Sequence, residues 1–334
     1  MQDDSPLRVV SIGGGTGLSS VLQGLKQYAR PSGPGVPLLD ITAIVTVTDD
    51  GGSSGRLRRD FDVLPPGDIR NCMVALSEDS ALLARLFQYR FQAGRGLKGH
   101  SFGNLFLTAL THILGDFPDA VKASSEVLKI AGRIYPSTTS NVTLEAILEG
   151  GKVIRGESRI SRGKHRIQSV RLHPRKVSPL PAALTAIAEA DVITLGPGSL
   201  FTSIAPNLLV AGMAAALRNS PALKCYFVNL MWQPGETDEF RASDHVRALH
   251  RHAGGKFLDY AVINVRSITS ELKRRYAREA AMPVENDIDT LIKMGLKVTA
   301  GNLSSSSDRV RHDPAETAAV VLRLAAEGRR RKNA

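Results

Sequence analysis

Five short runs rich in β-branched and other apolar residues, each leading into a glycine-rich or polar loop, set the fold of this 334-residue chain. They occupy residues 7–12, 41–47, 191–195, 225–229 and 260–265. Nearly continuous apolar strands are the kind buried on both faces of a parallel sheet, whose crossovers need helices. Helical spacing of apolar residues supplies them over 18–28, 69–78, 81–91, 102–114, 182–190, 205–217, 242–252 and 315–327. The alternation predicts an α/β fold, a doubly wound, mainly parallel, three-layer sheet forming one domain over residues 1–330. The segment 133–176 breaks the pattern. Short β-like pieces at 133–135, 142–148, 152–154 and 167–172, separated by Gly-Gly and Arg-Gly-Lys turns, predict a small antiparallel insertion.

The formal net charge of +11 is concentrated in two places. Residues 152–176 carry +8, the end 329–332 carries +4, and the rest of the chain is close to neutral at −1. A protein that binds nucleic acid over its whole surface is therefore disfavoured. The basic insertion reads as a solvated face or as a contact for an anionic partner or a second subunit, and the basic end (328–334) as a frayed tail. Cys72 and Cys225 lie among apolar neighbours and read as buried structural thiols. The longest apolar stretch, 208–217, is shorter than the roughly 20 residues a membrane span needs. The acidic start enters a strand directly without the pattern of a signal peptide, so the expected location is cytoplasmic.

Gly13-Gly14-Gly15-Thr16-Gly17 stands between the first strand and the first helix, where glycines let the backbone approach an anion and the helix offers unpaired N–H groups. The cluster departs from both the dinucleotide fingerprint and the Walker loop. A tight turn without a ligand is the plain alternative. Gly196-Pro197-Gly198-Ser199, followed by Thr202 and Ser203, repeats the arrangement after a later strand. Two such loops at one sheet edge favour a nucleotide diphosphate over a single phosphate. After the second strand come Asp49 and Asp50, then Ser53 and Ser54, oxygen donors suited to Mg²⁺, with Asp68 as a third carboxylate. Asp68 also fits the N-cap of the following helix. Asn71, His100, Asn104, Asn229 and the stretch 232–236 sit at further strand or helix ends and are candidates for the same cleft.

In that order GGGTG, TDDGGSSG, PPGDIRN, GHSFGNL, GPGSLFTS and QPGETDEF resemble the CofD/YvcK family over nearly the whole chain. The ETDEFRASDHV segment and the late RHDP are similar to the YvcK branch, the gluconeogenesis factors. The resemblance implies a Rossmann-like fold that binds a UDP-sugar such as UDP-N-acetylglucosamine. It also implies a regulatory role linking carbon metabolism to cell-wall synthesis and cell shape, with partners from cell-wall synthesis or a regulatory kinase, and a homo-oligomer. On this reading the loops 14–17 and 196–203 hold phosphates and ribose, Thr16, Asp49, Ser53, Asn71 and Asn104 orient the ligand, and Tyr276 and Arg311 reach its distal groups. The sister branch implies instead a Mg²⁺-dependent transferase moving a phospholactyl group from a guanosine diphosphate-linked donor to a deazaflavin. Its metal-binding and catalytic carboxylates fall on Asp49 or Asp50 and on Asp68. Ser304 to Ser307, ahead of Arg309 and Arg311, are candidate phosphorylation sites, with a polar loop as the alternative.

Overall fold

The computed structural model describes residues 5–29, 38–78, 81–163, 166–305 and 309–334. The first half of the chain runs β1 (Leu7–Gly13), α1 (Gly15–Lys26), β2 (Leu39–Val45), α2 (Gly52–Phe61), α3 (Gly67–Leu76), α4 (Ala81–Gln88), α5 (Phe102–Leu114), α6 (Phe117–Val127) and β3 (Arg133–Pro136). The insertion follows as β4 (Thr143–Leu148), β5 (Val153–Arg155), α7 (Glu157–Ile160) and β6 (Ile167–His173). The second half runs α8 (Pro181–Glu189), β7 (Val192–Leu195), a π-helical turn (Leu200–Ile204), α9 (Ala205–Leu208), α10 (Met213–Asn219), β8 (Leu223–Phe227), α11 (Ala242–His252), β9 (Tyr260–Asn264), α12 (Ser270–Ala277), α13 (Ile288–Lys293), β10 (Lys297–Gly301) and α14 (Pro314–Lys332).

Among the described residues seven strands form a parallel sheet in the order β10-β9-β8-β7-β1-β2-β3. Its central strands are buried along their length: Val9, Val10 and Ile12 of β1 and Val192, Ile193 and Leu195 of β7 are almost wholly shielded. The two polar side chains that share this interior satisfy each other, Thr194 donating from Oγ1 to Ser11 Oγ at 3.0 Å. From β1 the chain winds outward through β2 and β3, then returns to β7 on the other flank and continues to β10. That reversal puts the topological switch point between β1 and β7, where open α/β sheets leave a crevice at the carboxyl edge.

The insertion is smaller than the sequence suggests. Residues 133–135, read there as its first piece, belong to β3, which pairs in parallel with β2 at the sheet edge. Only β5-β4-β6 forms the separate antiparallel sheet, and its inner face joins the main core through Leu144, Ala146, Val170 and Leu172. Part of its charge is paired: Arg155 and Arg171 both grip the shielded Glu145 carboxylate, and Arg166 meets Glu239. The helix expected over 205–217 is broken between Leu208 and Met213, where the positive-φ Gly212 separates α9, begun by Pro206 in its first turn, from α10. No single helix among the described residues is long and apolar enough to cross a membrane. Cys72 and Cys225 are buried free thiols.

The basic end is not frayed. It is the last turn of α14, and Arg329 and Lys332 close on Asp191 at 2.7 and 3.2 Å.

Candidate functional site

The two glycine loops face each other across the switch point. Gly17 allows this: a Cβ there would collide with the Pro197 carbonyl, so only glycine lets the first turn of α1 lie against the second loop. Gly14 has as little room, since a Cβ on it would stand 2.7 Å from both Asp68 Oδ2 and Thr46 Cγ2. Between the loops opens a cavity of about 360 Å³. Gly14, Gly15, Thr16, Gly17, Pro197, Gly198, Ser199, Ser203, Asn229 and Arg311 line it, so the structure brings these sequence candidates together. Among the described residues no aspartate or glutamate lines it.

Trp232 and Gln233, from the stretch 232–236 that the sequence marks as a candidate for this cleft, face the cavity too, as do Ser20 and His312, to which the sequence assigned no role. Gln233 braces the second loop, its Oε1 accepting from Leu200 N–H at 3.3 Å and from Asn229 Nδ2 at 3.0 Å. Glu236 accepts from the Ser199 hydroxyl, and burial raises its pKa against the hydrogen bonds from Ser199 and Ser161. His312 is buried and pushed down to about 4 by desolvation, partly offset by a hydrogen bond to the Val228 backbone, so its ring is neutral at pH 7. The QPGET stretch signalled the first group as a glycine-bearing loop at a strand end; nothing local marks a buried histidine.

Other candidates lie behind the loops and hold them. Ser53 and Ser54 belong to the buried first turn of α2. Ser53 Oγ lies 3.1 Å from His100 Nδ1, and Ser54 Oγ accepts from Asn104 Nδ2 at 3.4 Å. Asn104 and Asn71 accept from Arg70 at 2.9 and 2.6 Å, fixing a buried guanidinium behind the acidic loop. Asn71 lines an adjoining cavity, which shares Thr16, Ser20 and Arg311 with the first. Gly196 shapes the second loop with its positive φ, and Thr202 is buried in the π-helical turn, its hydroxyl donating to Ser199 Oγ at 2.8 Å. Tyr276 does not line the cleft: its hydroxyl accepts from Val310 N–H at 3.1 Å, steadying the strap that carries Arg311. Ser304 is buried and bridged to His312, not presented for modification, whereas Ser306 and Ser307 lie outside the described residues.

A family model described as "2-phospho-L-lactate transferase CofD" matches residues 9–304. The chain belongs to the CofD family. Within it, this chain is 46% identical over 321 residues to the gluconeogenesis factor of Bacillus subtilis, covering 96% of this chain and 98% of that protein. It is 42% identical over 326 residues to the gluconeogenesis factor of Listeria innocua, covering 97% of each. A crystal structure of a Bacillus halodurans protein superposes with a TM-score of 0.90 at 43% identity, covering 95% of this chain and all of that one.

The carboxylates that are candidates for Mg²⁺, by their oxygen chemistry and by the resemblance to the CofD family, each accept a hydrogen bond from a backbone N–H. Asp50 turns away from the loops: its Oδ1 accepts from Ser158 N–H at 2.8 Å and caps α7 of the insertion. Asp49 Oδ1 accepts from Gly51 N–H at 2.8 Å, and Asp68 accepts from Gly15 N–H. Among the described residues no group of three or more histidine, cysteine, aspartate or glutamate side chains is placed to hold a metal. Nor does Asp68 cap its own helix, which it begins as the second residue with no side-chain cap bond. Burial and the neighbouring Asp49 charge push Asp68 up to about 6, against the Gly15 hydrogen bond and Arg70. Glu157, which no sequence motif marked, joins them from α7. Burial, then Asp68 and Asp49, raise it well above the ordinary carboxylate range while Thr48 donates to it at 2.8 Å. Asp49, Asp68 and Glu157 thus stand together behind the loops, and none of them lines the cavity.

Proposed function

We propose that this chain is a regulatory protein that binds a nucleoside diphosphate sugar of the UDP-N-acetylglucosamine type and links carbon metabolism to cell-wall synthesis and cell shape. One observation carries the binding part: two glycine loops flank the switch point and share one cavity with no carboxylate in its lining among the described residues. Backbone N–H groups there and the Arg311 guanidinium suit a diphosphate, which prefers planar bidentate donors and helix starts. Trp232 supplies an aromatic face in the same cavity. The names of the bacterial relatives support the metabolic part. Calorimetric titration with UDP-N-acetylglucosamine tests it. Saturable heat that Arg311→Ala weakens by about tenfold is the expected result, corresponding to loss of one charge-assisted contact. No heat at millimolar ligand sinks the reading.

A second reading is a group transferase, and the placement of Asp68 favours it. Asp68 lies directly behind the Gly14 backbone with a pKa of about 6, and an acceptor hydroxyl that reached it past that loop would give it its proton as that oxygen bonds to phosphorus and the nucleoside monophosphate leaves. Incubation with a guanosine diphosphate-linked phospholactyl donor and a deazaflavin decides it. Turnover that Asp68→Asn abolishes supports transfer; uptake without turnover leaves the regulatory reading alone.

A further inference from the structure

The cleft continues past Asn229 and Leu230. These two residues also wall a second cavity of about 330 Å³, at the carboxyl ends of β8 and β9. Its chemistry differs from that of the first. No aromatic ring lines it, whereas the first has Trp232 and His312. Its polar lining includes Asn264, Asn286, Arg266 and Lys273, with no aspartate or glutamate among the described residues. Arg266 is held in place, donating from Nη1 to the Ser304 carbonyl at 2.8 Å, and its N–H reaches Asn264 Oδ1 at 3.2 Å. Lys273 projects from α12. Among the described residues neither cation forms an ion pair with a carboxylate.

An adenine- or uracil-like base gains from stacking and so fits the cavity with the rings. Two exposed cations with no carboxylate partner among the described residues, set beside amides, suit a hydroxylated group that brings its own negative charge. We propose that the second cavity holds the group attached to the distal phosphate and that this group carries a carboxylate, so the favoured ligand is a nucleoside diphosphate joined to an acidic sugar. The proposal rests on the reading that the phosphates lie at the glycine loops.

UDP, UDP-glucose and UDP-glucuronate separate the two readings, because the last two differ only in a hydroxymethyl against a carboxylate on the sugar. Titration of the full chain at low salt is expected to show UDP-glucuronate binding about five- to tenfold tighter than UDP-glucose, a gap that narrows as salt screens the cations. Lys273→Met, on an exposed helix face, brings the ratio down to about twofold or less, the residue of one lost ion pair. Arg266→Met has the same direction. Equal affinities, a preference for UDP-glucose, or a glucuronate preference that survives both substitutions overturns the proposal while UDP uptake still stands. Failure of UDP itself to bind overturns the parent reading, and this one with it.

Discussion

Replacing Asp68 by asparagine keeps an oxygen for Gly15 N–H and removes the charge that burial and Asp49 oppose. Its native pKa of about 6 lies above the ordinary aspartate value, so the folded chain holds a proton that the unfolded chain has released. Stability from this group is present below about pH 4 and is lost as pH rises through 6. Urea melts are expected to show Asp68→Asn more stable than wild type by about 1 kcal/mol at pH 8, with the gap closing near pH 4. A gap independent of pH counts against the assignment. The residue was visible in the sequence as a carboxylate after Pro-Gly, but its use was not. Capping is a local pattern, whereas the bond to Gly15 joins segments some fifty residues apart.

At the scale of elements, the helix 52–61 and the strap 309–312 show where sequence reasoning stopped. Gly-Gly-Ser-Ser-Gly reads as a flexible loop, yet the fold starts a helix inside it, since Ser53 and Ser54 find buried partners in His100 and Asn104. Ligand-facing and loop-supporting polar residues look alike in a sequence; only packing sorts them. The strands with continuous apolar runs were legible because burial on both faces leaves a strong local mark. β10, with exposed Lys297 and Ala300 at the sheet edge, leaves none. Asp50 is the clearest case of an acid whose partner is an element and not a ligand. Asp50→Ala removes the cap on α7 and is expected to cost about 1 kcal/mol in denaturant unfolding and to speed amide exchange over 157–161. Nucleotide affinity is expected to change little, and an abolished affinity would return Asp50 to the site.

For the whole molecule, the charge that looked functional turns out to be structural at one end. Asp191 is almost fully shielded, and burial alone would raise its pKa. The Arg329 guanidinium, the Arg8 N–H and Lys332 hold it below the ordinary value instead. Arg329→Met takes one partner from a buried charge and is expected to destabilise the fold by about 2–3 kcal/mol at neutral pH. Because the native pKa is depressed, this stabilisation is present above about pH 4 and disappears as the carboxylate is protonated below it, so the deficit shrinks in acid. Thermal melts across that range check it.

The same C-terminal helix packs against α1, where a Cβ on Gly24 would run into the Pro314 carbonyl, and β1 lies between β2 and β7. The first glycine loop therefore depends on segments about 180 and 300 residues later in the chain, around Pro197 and Pro314. While the ribosome is still making residues 196–332, the nascent GGGTG turn has neither its opposing loop nor the helix behind it. The cleft is thus a product of the whole fold: its first wall rests on a helix, residues 314–332, that comes last of the described elements.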